Sequence, residues 1–374
     1  MPAILYLPCF DYFHHRQRPQ SLLWELSKQG FQVIYCQPTS YATRAAEWAG
    51  RHIWPAGEKY QPPGPLIPLT DNFIICTDVA AVKDLRPDVM WLTHGPYAES
   101  VVDFNPKVVV SDFADVCKEE FEEFAPFETA KLSCADVAIA ASKAIYDDIS
   151  QRHPNAHLVP NAADYRLFRM AWDPSYNLPV PFEISTILGI QNPVPGSARV
   201  TSKKLIAFWG AITTWVDLDL VIRIAARKPA WHFVFIGSIG LPMSILPRLS
   251  NITFLGDRDH LSLPFYARWF DAAIIPFEVR EVTRSACPIK AYEYLACGLP
   301  VVSTDLPEIR GLGDIKIIDS SSGQVEGFID ALEWALSQSR DPDAKRLRAE
   351  AVKDETWENR AKMVKDLISE YIEM

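Results

Sequence analysis

The chain has 374 residues, which at about 150 residues per domain suggests two domains that each bury a core. Apolar residues make up 48% of the sequence and charged residues 22%, a balance that excludes a long disordered chain. The net charge of -10 disfavours the phosphate contacts of nucleic-acid binding, so no nucleic-acid partner is expected. Seven cysteines without a Cys-x-x-Cys pair indicate free thiols in a reducing compartment and argue against structural zinc.

The first twenty residues, MPAILYLPCFDYFHHRQRPQ, have no basic lead followed by a long apolar run. No apolar stretch of about 18 residues occurs later in the sequence. We therefore predict a cytoplasmic protein. Peripheral association with the inner face of the membrane stays open.

Short apolar or β-branched runs alternate with helical or polar stretches through the first half of the chain. We predict strands at 4–7, 32–36, 73–76, 89–93, 107–111, 137–140 and 157–159. Buried strands separated by helices form an open, mostly parallel sheet with both faces covered. In such doubly wound α/β domains the ligands gather at the carboxyl ends of the strands.

A proline-rich stretch between 173 and 202 interrupts this pattern, and a second α/β series follows it. We therefore predict an N-terminal domain at 1–180, a linker at 181–202, a C-terminal domain at 203–355 and a final helix at 356–374. The apolar stripe of that helix needs a partner surface. In the C-terminal domain we predict strands at 205–209, 232–237, 252–255, 272–276, 300–304 and 315–318, and helices at 217–227 and 289–296.

The most informative segment, IIPFEVREVTRSACPIKAYEYLACGLPVVSTDLPEIR, begins at residue 274. Pro288 suits the first turn of a helix, and Gly298 suits the left-handed residue after its end. The free N–H groups near Ile289 and Lys290, the helix dipole and the Lys290 ammonium predict an anion site suited to phosphate. Glu293 lies one turn further along, so its side chain and that of Lys290 can point into one crevice.

The pattern PxKxxEYLAxGxPVVSTxxPE in this segment resembles the retaining, two-domain glycosyltransferases of the GT-B fold, close to glycosyltransferase family 4. The resemblance implies two Rossmann-like doubly wound α/β domains facing a central cleft, with a C-terminal helix that crosses back to the N-domain. It also implies a UDP- or GDP-sugar co-substrate and no further cofactor. The segments RPQSLLWELSKQGFQVIYCQP and CADVAIAASKA resemble a branch that builds bacterial surface polysaccharides, including teichuronic-acid-type enzymes.

The resemblance also assigns residues to the nucleotide sugar. In the family the matching glutamate holds the ribose hydroxyls, which implies that Glu293 binds ribose. The preceding helix N-terminus holds the diphosphate, which implies that Ile289 and Lys290 lie beside it. The remaining positions that we assign to nucleotide-sugar binding are Gly210, Gly237 and Ser285.

Two positions depart from the family pattern. The family has a first glutamate eight residues before the second, where this chain has Ser285. The family's basic residues after the first glycine of the C-domain are also missing, since Ala211 follows Gly210. Arg284 or Arg280 is the alternative source of that positive charge.

Polar residues at predicted strand ends of the first half are the candidates for acceptor binding and chemistry. His94 follows a predicted strand and precedes a Gly-Pro turn. We assign acceptor binding to His14, Arg18, Asp112 and Asp115, and catalytic roles to His94, Arg284 and Lys290.

Two Asp-x-Asp sequences, at 217–219 and 257–259, match a pattern that holds a divalent metal in a different glycosyltransferase fold. Asp217 is better explained as a helix cap. A helix N-terminus and basic side chains can neutralise a diphosphate without a metal. We therefore predict no metal site.

The resulting hypothesis is an enzyme that transfers a sugar from a nucleotide diphosphate donor to a glycan or lipid-linked acceptor in surface polysaccharide assembly, with retention of configuration. Two alternatives stay open. One is a nucleotide-sugar epimerase of the same fold, and the other is a catalytically weakened nucleotide-sugar-binding scaffold protein, suggested by Ser285 and Ala211. A turnover assay separates all three.

Overall fold

The computed structural model describes residues 1–13, 16–38, 64–191, 202–319 and 323–373. It divides into two compact units. The N-terminal unit comprises Met1–Asn161 and Trp357–Met374, and the C-terminal unit comprises Ala162–Thr356. Residues 182–188, inside the predicted linker, form a helix, and residues 192–201 of that linker lie outside the described residues.

The N-terminal unit is built on an eight-stranded sheet with the order β3-β4-β2-β1-β5-β6-β7-β8. All neighbouring strands are parallel except β3 and β4, which are antiparallel. The strands are β1 (Ala3–Tyr6), β2 (Gln32–Cys36), β3 (Leu66–Thr70), β4 (Phe73–Cys76), β5 (Val89–Leu92), β6 (Val108–Phe113), β7 (Val137–Ala140) and β8 (Ala156–Leu158).

The helices of this unit connect successive parallel strands. They are α1 (Arg18–Lys28), α2 (Val101–Phe104), α3 (Ala125–Ser133) and α4 (Lys143–Ile149). Helix α1 begins with Pro19 in its first turn, and the Gln17 amide donates to Gln20 Oε1 at 3.2 Å. The leucines at 22, 23 and 26 are fully buried, so this helix covers one face of the sheet.

The C-terminal unit contains a six-stranded parallel sheet with the order β11-β10-β9-β12-β13-β14. Its strands are β9 (Lys204–Trp209), β10 (Trp231–Ile236), β11 (Ile252–Phe254), β12 (Ala272–Ile275), β13 (Val301–Thr304) and β14 (Ile315–Ile318). Strands β10, β12 and β13 are buried along their whole length, as expected for a parallel sheet covered on both faces. The predicted pair of parallel α/β sheets is confirmed.

The helices of the C-terminal unit are α5 (Tyr165–Phe168), α6 (Phe182–Leu188), α7 (Leu218–Arg227), α8 (Leu263–Ala267), α9 (Glu281–Ser285), α10 (Ile289–Ala296), α11 (Gln324–Gln338) and α12 (Pro342–Glu350). Helix α7 begins as predicted, because Asp217 Oδ1 accepts from the Leu220 amide at 2.8 Å. Gly298, just beyond α10, has a φ of 70°.

The last helix, α13 (Trp357–Ile368), returns to the N-terminal unit and packs against α1. Lys365 Nζ donates to the Gln29 carbonyl at 3.0 Å, and Gln29 Nε2 donates to the Glu358 carbonyl at 2.9 Å. The side chains of Val364 and Ile368 are fully buried. The predicted return of the C-terminal helix is therefore confirmed. None of the described helices is long and apolar enough to cross a membrane.

Replacing Ile368 with alanine tests this packing. The side chain is fully buried, so we expect Ile368→Ala to lower the free energy of unfolding by about 2–5 kcal/mol. Met363 lies on the exposed side of the same helix, and Met363→Ala should change that free energy by no more than about 0.5 kcal/mol. Chemical denaturation measures both. Equal effects of the two substitutions would contradict the observed packing of α13.

Candidate functional site

In the C-terminal unit, two strands end at glycines that approach each other closely. Gly210 follows β9 with a φ of 127°, and Gly237 follows β10 with a φ of 142°. A Cβ atom on Gly237 would lie 2.1 Å from the Gly210 carbonyl oxygen. Both positions therefore require glycine, and they bring bare backbone to the carboxyl edge of the sheet, where ligands of α/β sheets bind.

Helix α10 begins beside these glycines. Its N-cap is Pro288, and the first helical amides, at Ile289 and Lys290, have no preceding helical carbonyl to bond. A Cβ on Gly210 would lie 3.0 Å from Lys290 Cε and 3.4 Å from Nζ, so the lysine side chain lies directly against that glycine. The structure thus brings together the predicted residues Gly210, Gly237, Ile289 and Lys290. A positive helix end and an ammonium group at one point form an anion site.

The Lys290 ammonium lies over two aromatic rings, with Nζ 4.6 Å from the Phe277 centroid and 5.4 Å from the Phe208 centroid. Burial lowers the pKa of Lys290 to about 8, and the nearby Glu293 carboxylate partly opposes this shift. The side chain is therefore still largely cationic at pH 7. It loses its charge as the pH rises through 8.

Glu293, one turn further along α10, is only 5% exposed and makes two hydrogen bonds. Its Oε2 accepts from the Trp209 indole at 2.7 Å, and its Oε1 accepts from His260 Nε2 at 3.0 Å. The ring of Phe168 meets His260 edge-on and stacks parallel to Trp209. Glu293 is therefore anchored in the wall of the site, in contact with the core.

Trp209, His260 and Phe168 were not predicted as site residues. Trp209 directly precedes the predicted Gly210, so its place at a strand end was a usable signal. His260 lies in the loop after β11, and its Nδ1 is buried without a hydrogen-bond partner among the described residues. No sequence spacing connects it to Glu293.

The predicted residues Arg284 and Ser285 end helix α9. Arg284 is exposed, and its guanidinium group makes no hydrogen bond with any residue that the structure describes. Arg280, at the start of the same helix, donates to Thr214 Oγ1 at 3.4 Å. The positive charge of Arg284 thus remains available to a ligand.

One aspartate of each Asp-x-Asp sequence has a structural role. Asp217 caps α7, and Asp259 Oδ1 accepts from the Leu261 amide at 2.9 Å. Within the described ranges, no group of three or more His, Cys, Asp or Glu side chains is arranged to hold a metal ion.

In the N-terminal unit, Arg18 and Asp112 form a buried ion pair. Arg18 is 2% exposed and Asp112 is fully buried, and Nε lies 2.7 Å from Oδ1. Arg18 also donates from Nη1 to Asn161 Oδ1 at 3.2 Å. Arg18 Nη2 and Asp112 Oδ2 are buried without partners in the described part of the chain. The pair therefore retains one unused hydrogen-bond donor, Arg18 Nη2, and one unused acceptor, Asp112 Oδ2.

Two details differ from the sequence prediction. Arg18 begins helix α1 rather than lying at a strand end, because Pro19 suits the first turn of a helix. Asp112 lies within β6 rather than after it. His14 lies outside the described residues.

Lys131, which was not predicted as a site residue, forms hydrogen bonds with residues at the ends of two neighbouring strands. Its Nζ donates to the carbonyls of Thr93 and Asp112, each at 2.7 Å, and lies 4.1 Å from the Phe113 centroid. Burial lowers its pKa to about 8. A lysine on a helix is usually exposed, so its sequence position gave no signal.

His94 and Asp115 lie near this cation and respond to it. Burial and the Lys131 charge lower the pKa of His94, whose Nδ1 is buried without a hydrogen-bond partner in the described ranges. Asp115 is exposed, and the surrounding protein and the Asp112 charge raise its pKa, while the charges of Lys131 and Arg18 oppose this shift. The structure therefore groups four predicted residues around Lys131, namely His94, Arg18, Asp112 and Asp115.

The C-terminal unit contains a match to a known family. Residues 203–338 match the family model of glycosyl transferases group 1. The matched residues include Gly210, Gly237 and the whole of helix α10.

A relative assigned to teichuronic acid biosynthesis, the glycosyltransferase TuaH of Bacillus subtilis (strain 168), is 26% identical over 232 residues. The match covers 60% of this chain and 54% of TuaH, so the chain spans about half the length of that relative.

Two solved structures show the same fold over the whole chain. Sucrose-phosphate synthase from Thermosynechococcus elongatus has a TM-score of 0.65 at 12% identity, covering 99% of each chain. HepE from Anabaena, in complex with UDP-glucose, has a TM-score of 0.64 at 16% identity, covering 99% of this chain and 100% of HepE. Together with the group 1 match, these likenesses confirm the predicted GT-B fold.

Replacing Lys290 with methionine separates stability from anion binding. At pH 7 we expect Lys290→Met to raise the melting temperature by roughly 2–4 °C, because it removes a charge that burial disfavours. Pyrophosphate affinity should fall at least about tenfold through loss of a charge-assisted contact. Calorimetry and thermal melts measure the two effects, with the exposed Lys353→Met as the control.

The pH dependence of the wild type gives the second measurement. The unfolded chain keeps the lysine proton up to about pH 10.5, whereas the folded protein releases it near pH 8. The contribution of Lys290 to stability should therefore rise with pH between these values, and Lys290→Met should lack this rise. Pyrophosphate affinity of the wild type should fall above pH 8. Identical pH profiles for both proteins would contradict the assignment of Lys290 to the anion site.

Replacing Lys131 with methionine tests its electrostatic effect on His94. Removing the positive charge should raise the pKa of His94, which we would follow by NMR titration of its ring proton, assigned with His94→Gln. Lys143→Met, an exposed substitution in the same unit, should leave that pKa unchanged. An unshifted His94 in folded Lys131→Met protein would show that Lys131 does not act on it.

Proposed function

We propose that the protein transfers a sugar from a nucleoside diphosphate donor to a hydroxyl group of a glycan or lipid-linked acceptor, in surface polysaccharide assembly. The observation that carries the proposal is the α10 N-terminus with Lys290 against Gly210, within the residues that match glycosyl transferases group 1. The role in polysaccharide assembly rests on the relative TuaH, which is named for teichuronic acid biosynthesis.

In this proposal the donor binds to the C-terminal unit. The first amides of α10 and the Lys290 ammonium hold the diphosphate, and Arg284 supplies a second positive charge. Glu293 holds the ribose, because each carboxylate oxygen accepts one protein hydrogen bond and keeps a lone pair for a ribose hydroxyl. Uridine is the first candidate base, since HepE is described in complex with UDP-glucose, and guanosine is the second.

The acceptor binds to the N-terminal unit in this proposal. A hydroxyl group both donates and accepts hydrogen bonds, so it suits a cluster that offers carboxylates and basic groups together. Asp115 and the Arg18–Asp112 pair would hold acceptor hydroxyls. His94 is neutral at pH 7 because its pKa is lowered, so it can accept a hydrogen bond from a reacting hydroxyl.

The proposed reaction replaces the bond between the anomeric carbon and the diphosphate with a bond between that carbon and the acceptor. The bond from that carbon to the diphosphate oxygen breaks as the acceptor oxygen bonds to it. The diphosphate leaves with the bonding electrons, and Lys290, Arg284 and the helix N-terminus stabilise its charge. With retention of configuration, donor and acceptor oxygens share one face of the sugar, and the leaving oxygen takes the acceptor proton.

The epimerase and scaffold alternatives are not favoured, because both the family match and the curated relative are glycosyltransferases. A panel of nucleotide sugars, screened first by thermal shift and then by turnover with and without a metal chelator, tests the proposal. Sugar transferred to an acceptor in both conditions supports it. Epimerised free sugar, or nucleotide binding without turnover, supports one of the alternatives.

Glu293→Gln tests the ribose assignment while it preserves side-chain volume. Losing one charged hydrogen-bond acceptor costs about 1.5–3 kcal/mol of binding free energy, so affinity for the preferred nucleotide should fall about 10- to 100-fold. Isothermal calorimetry measures this loss, with Glu333→Gln, at an exposed position of helix α11, as the control. Unchanged nucleotide affinity in a folded Glu293→Gln protein would exclude the ribose role.

A further inference from the structure

The C-terminal unit has a polar cavity at the edge of its sheet opposite the proposed donor site. Asp271 immediately precedes β12, so this cavity lies at the amino ends of the strands, whereas Gly210 and Gly237 lie at the carboxyl ends. The cavity has a volume of about 280 Å³. Its lining residues are Arg268, Trp269, Phe270, Asp271, Ser339, Arg340 and Lys345.

Positive charge is concentrated in this cavity, although the whole chain carries a net charge of -10. Arg268, Arg340 and Lys345 contribute three cations to the lining, and Asp271 is the carboxylate among them. That carboxylate already accepts from the Leu205 amide at 2.8 Å, and Arg340 Nε lies 3.8 Å from it. One carboxylate therefore faces three cationic side chains.

A fourth cation, Arg348, does not line the cavity but acts electrostatically on Lys345, which does. Arg348 is buried and donates to the carbonyls of Gly298 and Gln338, at 2.9 Å and 3.2 Å, while Asp314 lies 3.8 Å from its Nη1. Its position is therefore fixed by backbone carbonyls, and its charge adds to the positive potential of the cavity.

Lys345 is the centre of this group. It is half-buried, and its ammonium group makes no hydrogen bond or ion pair with any residue in the described ranges. Burial lowers its pKa, and Arg348, Arg268 and Arg340 lower it further, against the opposing effect of Asp271. Cations held together in a partly desolvated cavity repel each other, and a bound anion relieves that repulsion.

We propose that this cavity binds a phosphate-type anion at a site separate from the donor site. The guanidinium groups of Arg268 and Arg340 suit the oxygens of a phosphate group, and Lys345 supplies a point charge between them. The same chemistry is presented by a free phosphate and by the phosphodiester headgroup of an anionic lipid. The proposal does not depend on the proposed transferase activity.

The test compares three proteins: wild type, Arg340→Gln/Lys345→Gln, and the control Arg346→Gln. Arg346 lies on the same helix as Lys345 and pairs with Glu350 on its exposed face, so its removal changes the charge of the helix without altering the cavity. Inorganic phosphate is titrated by calorimetry at constant ionic strength. Phosphate binding at the α10 N-terminus is the same in all three proteins. A difference in phosphate affinity between them therefore reports binding in the cavity.

We expect phosphate affinity to fall roughly tenfold in the double variant and to stay unchanged in Arg346→Gln. Sedimentation with vesicles of phosphatidylglycerol and phosphatidylcholine, against phosphatidylcholine alone, distinguishes the two sources. Vesicle binding lost in the double variant assigns the site to a lipid headgroup, and phosphate binding without vesicle binding assigns it to a soluble phosphate.

Equal phosphate affinity in all three folded proteins, together with vesicle binding that the double variant does not reduce, would overturn the proposal. Thermal melts establish that the variants are folded. Sugar transfer is measured separately, because loss of turnover with intact anion binding would contradict the proposed function and leave the anion site supported.

Discussion

The carboxylate of Glu293 is the constraint on which the proposed donor site depends. A charge that is only 5% exposed is costly to bury unless hydrogen-bond donors reach both of its oxygens. Those donors come from separate segments, Trp209 at the end of β9 and His260 in the loop after β11. The buried charge therefore holds a strand, a loop and helix α10 in one arrangement. Moving any of the three would leave a buried polar group without a partner.

The position of Lys290 follows from this arrangement. Glu293 fixes helix α10, and Lys290 lies one turn earlier on that helix, so its side chain is directed against Gly210. Because Gly237 and Gly210 approach each other closely, neither position has room for a side chain, and the same edge of the sheet presents bare backbone. An anion site made of helix amides, an ammonium group and bare backbone is thus formed before a ligand arrives, which reduces the ordering cost of binding.

The helices, most of the strands and the Gly210, Gly237 and Lys290 side of the proposed donor site could be predicted from local sequence. Pro288 and Gly298 mark the ends of α10, and alternating apolar runs mark most strands. Strand β3 was missed because Pro68 interrupts it, which is tolerated at the antiparallel edge that it occupies. The contact between His260 and Glu293 could not be predicted, because it joins distant segments through tertiary packing. Lys131 was missed for the same reason.

Ser285 changes the charge balance of the proposed donor site. A glutamate at this position would add a negative charge next to Arg284 and close to the helix that begins at Ile289. With serine there, the positive end of α10, Lys290 and Arg284 act on an incoming diphosphate without that repulsion. The carboxylate of Glu293 already accepts hydrogen bonds from Trp209 and His260. Two cations and a helix dipole of about half a charge are comparable to the charge of a diphosphate. The departure from the family pattern is therefore consistent with a site that neutralises its leaving group with protein charges.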